Sequence, residues 1–272
     1  MIDESTIIEL LRKAVCDLPG DVESALEKAL EAEENETAKI QLKNILDNVK
    51  YARENSIPLC QDTGILRFYV RLGKAGVEAE EVKGIILRAV EKATEEIPLR
   101  PNSVDALTRE NSGNVPEIEF EFTKDNSIEI TVLPKGAGAE NMSALAMLTP
   151  AEGTGGIKRF VIETVKKAGG KPCPPTIVGV GIGGLSDTAM KLAKKALLRN
   201  VGDPNPDSGI AKLESELLNE INSLGIGPMG LGGKTTSIAV HIETAPCHTG
   251  SLPVAVNLQC WANRRATVRV SE

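Results

Sequence analysis

Residues 176–199 constrain the fold more than any other stretch. An uninterrupted apolar run, TIVGVGIG, passes through Gly183-Gly184 into a Lys-rich helical segment at 187–199, so a strand leads by a glycine turn into a helix. Strands and helices must therefore share one body, and the rest of the chain agrees. Thr6-x-x-Glu9 reads as a capping box opening an amphipathic helix with Ile7, Leu11 and Ala14 on one side, stopped by Leu18-Pro19-Gly20. Residues 21–34 and 36–54 continue in helical composition. After a turn at 58–64 come a strand at Leu66–Leu72, a helix over 80–96, and two alternating segments, Ile118–Phe122 and Ser127–Leu133, that read as a hairpin. Helices at 157–167 and 209–223 and strands at Ser237–Thr244 and Leu252–Gln259 follow. The expected class is α+β (mixed α/β). A helical N-terminal part, 1–56, precedes a mixed-sheet body, 57–272, in a single domain.

Charge excludes several kinds of partner. The 272 residues carry 31 Lys+Arg against 38 Asp+Glu, a net charge of −7. That leaves no basic field for nucleic acid or acidic lipid, and 4 Phe, 2 Tyr and 1 Trp are too few for base-stacking platforms. No apolar run approaches the ~18 residues of a membrane span, and the acidic start MIDESTIIELLRK is no signal peptide. The expectation is a cytoplasmic protein with no nucleic-acid or membrane partner.

Two glycine motifs suggest nucleotides. Gly179-Val-Gly181-Ile-Gly183-Gly184 lies between strand and helix, as a dinucleotide fingerprint does, but no second strand with an acidic end follows within about 20 residues. A turn presenting amides to a substrate anion is the plainer reading; a nucleotide-binding regulatory module using Gly179–Gly184 is the alternative from another class. GPMGLGGKT at 227–235 resembles a phosphate loop, yet five residues separate Gly227 from Gly233 where four are required, and a strand follows where a helix should.

Cys60, Cys173 and Cys260 lie in polar, turn-forming sequence (PLCQDTG, GGKPCPPT, NLQCWANRR), far apart in the chain. Such spacing forms no local zinc knuckle. Three distant thiolates could converge on an iron–sulfur cube, or each could be a small buried hydrophobe. Cys16 sits on a helix face and His241 within a strand; both read as packing.

PLCQDTG, KGAGAEN, GGKPCPP followed by VGVGIGG, GPMGLGGKTT and CHTGSLPVAVNLQC, in this order, resemble the class I fumarase family, specifically its separate α subunit and the related α subunit of L-tartrate dehydratase. The likeness runs from about residue 50 onward. It implies a body like the N-terminal domain of class I fumarases and a 4Fe–4S cluster held by Cys60, Cys173 and Cys260. It further implies substrate contacts from Gln61, Asp62, Arg100, Gly136 and His248, with Asp62 beside the cluster as the catalytic proton-transfer group. Cys247 is not expected to ligate, since a fourth thiolate would close the iron. The resemblance implies fumarate hydration to malate as the activity, with tartrate dehydration as the alternative. It implies a β subunit as partner, in a hetero-oligomer of two α and two β chains, with a small dicarboxylate as substrate.

Overall fold

The computed structural model describes residues 2–74 and 77–271. In chain order the elements begin with helices α1 (Glu4–Cys16), α2 (Gly20–Ala32) and α3 (Glu36–Asn55), strand β1 (Ile65–Leu72) and helix α4 (Ala79–Glu96). Strands β2 (Ser103–Val104), β3 (Asn111–Gly113), β4 (Glu117–Phe122) and β5 (Ser127–Lys135) follow, then helix α5 (Ala137–Glu140), strand β6 (Ala144–Leu148) and helix α6 (Gly153–Ala168). Strand β7 (Thr176–Gly183), helices α7 (Ser186–Ala196) and α8 (Ser208–Asn222), and strands β8 (Ser237–Ala245), β9 (Leu252–Gln259) and β10 (Ala266–Ser271) complete the chain. The class is α+β, helical first and then mixed-sheet. The chain divides into two compact units: residues 1–19, 48–136 and 264–272 form the first, and 20–47 and 137–263 the second. The helical residues 1–56 are thus divided between the two.

In the first unit a four-stranded sheet, ordered β10-β5-β1-β4, packs α1 and α4 on one face. The alternation of β1 decides which face. Leu66, Phe68, Val70 and Leu72 point into a core with Ile7, Leu11, Ile86 and Val90, while Arg67 pairs with Glu117 and Glu119 of β4 and Arg71 with Glu129 of β5. The expected hairpin of 118–122 with 127–133 is not formed. Strand β1 lies between the two, parallel to β4 and antiparallel to β5, and the 123–127 turn wraps its end through Thr123 N–H to Leu72 O and Gly73 N–H to Ser127 O, both 2.9 Å. A direct hairpin would set the glutamates of β4 against Glu129, whereas β1 supplies the arginines that both neighbours need. Strands β6 and β10 were not anticipated. The expected capping box is also corrected. The N-cap is Asp3, whose Oδ1 accepts from Thr6 N–H at 2.8 Å, so Thr6 already lies in the first turn. Glu9 instead pairs with Arg12.

In the second unit the sheet order is β6-β9-β7-β8, with β7 parallel to β8 and antiparallel to β9. Val178 and Val180 of β7 face α6 and α8 across a core that includes Val161, Val165, Leu217 and Ile221. The opposite face carries Gly179 and Gly181, where a Cβ would collide with the carbonyls of Ala193 and Ala189 in α7. The glycines of VGVG therefore let a helix lie directly on a strand. Helix α2 and the early turns of α3 bury Val22, Leu26, Ala38 and Leu42. The turn between these helices is held by the buried Glu33, which accepts from the N–H groups of Glu34, Asn35 and Lys234.

Candidate functional site

The segment carrying Cys60 is fixed from both sides. Leu59, buried, donates its N–H to Val15 O and accepts at its own carbonyl from Asn48 Nδ2, each 2.9 Å. Cys60 itself is half-buried and Gln61 exposed. Asp62 then makes an Asx turn: its Oδ1 accepts from Gly64 N–H at 3.0 Å. Gly64 takes φ +83 and presses on the backbone of Lys135, 2.7 Å from where its Cβ would stand, so no side chain fits there. Gly136 follows, and a Cβ on it would lie 3.1 Å from Asp62 Oδ2. The Asp62 carboxylate and the Gly136 backbone thus face one another.

Thr63 carries the segment to Arg100. Its Oγ1 accepts from Arg100 N–H at 3.1 Å, which leaves the Arg100 side chain exposed and its fork available to a carboxylate. Asn102 Nδ2 lies among Thr63 Oγ1, Gly64 O and Asp62 Oδ1 at 3.3, 3.4 and 3.5 Å. The first unit therefore brings Cys60, Gln61, Asp62, Gly136 and the Arg100 backbone into one cluster.

The second unit holds Cys173 and Cys260 at neighbouring strand ends. Cys173 precedes β7 and Cys260 follows β9, where Ile177 pairs with Gln259. Trp261 N–H donates to Cys173 O at 3.1 Å and extends that pairing. Cys173 has φ +54, an unfavourable value for a residue with a side chain, and such strain gathers at functional positions. The loop at 227–235 braces the Cys173 turn: Met229 N–H donates to Pro174 O at 2.8 Å, and a Cβ on Gly230 would lie 2.6 Å from Gly170 Cα. His248 is exposed, and its Nδ1 accepts from Gly250 N–H at 3.1 Å, so the neutral ring carries its proton on Nε2 and presents a donor.

The five cysteines are thiols of three kinds. Cys16 is buried in the first unit's core, where burial pushes its thiol pKa up, and Cys247 is exposed, donating to Ser251 O. Cys60, Cys173 and Cys260 alone are half-buried, the condition of a ligand that must be both fixed and reachable. Soft thiolates suit iron–sulfur clusters. Among the described residues no three His, Cys, Asp or Glu side chains stand close enough to hold a metal ion by themselves. His241 is buried in β8, where Nδ1–H donates to Ala196 O. No described helix is long and apolar enough to cross a membrane.

One participant escaped the sequence reading. Arg264, 1% exposed, donates from Nη2 to Asp62 O at 2.9 Å. Its only sequence signal is the Arg pair that follows Cys-Trp-Ala-Asn, which does not show which arginine is buried.

Comparison with known proteins matches residues 4–269 to the family model described as fumarate hydratase (fumerase). A Methanocaldococcus jannaschii protein, named provisionally as L(+)-tartrate dehydratase subunit alpha, is 54% identical over 97% of this chain and 96% of its own length. The L(+)-tartrate dehydratase subunit alpha of Escherichia coli K12 is 38% identical over 93% of this chain and 86% of its own. The chain belongs to the fumarate hydratase (fumerase) family of hydro-lyases.

Proposed function

We propose that the chain is the α subunit of an iron–sulfur hydro-lyase that removes water from L(+)-tartrate to give oxaloacetate. The near full-length likeness to proteins named as L(+)-tartrate dehydratase α subunits carries this reading. Hydration of fumarate to malate is the second reading, favoured by the description of the matching family model. Tartrate and malate, the hydroxy acids of the two reactions, differ by one hydroxyl, and the recognition chemistry is common to both.

Cys60, Cys173 and Cys260 would hold a 4Fe–4S cluster, whose fourth iron supplies a Lewis acid that makes the substrate hydroxyl a better leaving group. The chain's own residues do the remaining work. The Arg100 fork and the Nε2–H of His248 bind carboxylate, while the amide at Gly136 and the side chain of Gln61 orient it. In the dehydration, hydroxide leaves one carbon and a proton leaves its neighbour. The resulting enol becomes the keto acid in the tartrate case. Asp62, oriented by Gly64 N–H and Asn102, exchanges the proton of the departing or arriving water. The deciding experiment is anaerobic cluster assembly with a β subunit, followed by parallel tartrate and fumarate assays. A higher kcat/KM for tartrate is expected; a preference for fumarate would move the assignment to the second reading, and turnover of neither would reject both.

A further inference from the structure

Among the described residues Arg264 is the largest fully buried side chain, and it makes poor use of its burial. Nη2 bonds to the neutral carbonyl of Asp62, while Nε and Nη1 have no hydrogen-bond partner among the described residues. A guanidinium removed from water is tolerated only when a negative charge and acceptors replace the lost hydration. The half-buried Arg199 meets that condition, paired with the buried Glu214 at 2.5 Å. The unspent donors of Arg264 lie at the backbone two residues beyond Cys60.

Its position leaves little freedom. Arg264 stands just before β10, which is pinned to β5 from Ala266 onward, so the side chain is delivered from a fixed strand start to a fixed carbonyl. We infer that Arg264 is a positioning residue for the anionic group this site takes up: it clamps the segment Cys60–Asp62 through one nitrogen. The other two remain for the negative charge that a thiolate-held cluster brings. This rests on the iron–sulfur reading above and extends it to the control of the cluster's charge. Donors and positive charge next to cluster sulfur raise its reduction potential.

The test uses the full chain, unmutated and as R264M and R264K, reconstituted anaerobically with iron and sulfide. In the apoprotein R264M is expected to unfold at a midpoint no lower than the unmutated chain, because an uncompensated charge has been replaced by an apolar side chain. After reconstitution R264M should retain several-fold less iron, and the remaining cluster should have a lower reduction potential, with R264K intermediate. A purely structural arginine would give the opposite pattern, an unstable apoprotein and an unchanged potential, and that result would overturn the inference. If R264M does not fold, the Arg264 Nε–H resonance of the unmutated chain decides. It should shift or broaden on cluster uptake, and an unaltered signal overturns the inference. No iron or sulfide uptake by the unmutated chain would remove this inference together with the reading beneath it. Normal uptake with indifferent variants would remove this inference alone.

Discussion

A thiol that ligates must be reached by metal and held still, and burial sorts the five cysteines on that criterion. Cys60→Ser, Cys173→Ser and Cys260→Ser should each lose most of the bound iron, because serine oxygen is a hard and weakly acidic substitute for thiolate. Cys16→Ser and Cys247→Ser should keep it, with iron and sulfide content as the measurement. Loss with Cys247→Ser but not Cys260→Ser would transfer the third ligand. Burial pushes the Glu33 carboxyl up, but N–H donors from Asn35, Lys234 and Glu34 outweigh that and hold it below the usual 4.5. Its folded value being the lower one, Glu33 stabilises the protein fully above about pH 4.5 and loses that contribution as pH falls through the lowered value. Glu33→Ala should cost about 2 kcal/mol at neutral pH and flatten the acid limb of the stability profile. An unchanged limb in denaturant titrations between pH 3 and 6 would refute this.

At the scale of elements, the close contact of α7 with β7 makes the sharpest claim. Gly181→Ala places a methyl against Ala189 O, where backbone rather than a side chain must yield. A loss of about 3 kcal/mol is expected, read from the urea midpoint. Gly20→Ala, with nothing within 4 Å, serves as the control and should stay within about 0.5 kcal/mol. Most elements were legible in the sequence because their periodicity is strong. The failures have separate causes. The hairpin of 118–122 and 127–133 was inferred from adjacency, but charge complementarity with Arg67 and Arg71 placed β1 between them. Strand β6, ALAML, lacks a polar alternation. The site divides in the same way. Cys60, Asp62 and Arg100 are reached through motifs that resemble the fumarase family, whereas Arg264 is defined by burial that no local pattern encodes.

For the whole molecule, the question is whether one chain suffices. A dicarboxylate dianion needs both ends held, and the candidate residues offer one arginine fork, Arg100, and one imidazole donor, His248. The relatives are named as α subunits. This chain with cluster assembled should therefore turn over neither tartrate nor fumarate until a β subunit is added, and a steady-state assay with and without that subunit is the check. Full turnover by the chain alone would contradict the expectation.

The segmental make-up of the first unit carries a consequence for synthesis. Its sheet takes β1, β4 and β5 from the middle of the chain and β10 from residues 266–271, while the second unit is drawn from 20–47 and 137–263. A ribosome delivers everything the second unit needs before it delivers Arg264. The first unit must wait with the flank of β5 unpaired, its Ile130 and Val132 lacking their neighbours Val268 and Ala266. Chains ending at residue 263 and released from the ribosome should therefore show a protease-resistant second unit and a first unit still open to cleavage, with the Cys60 segment not yet clamped.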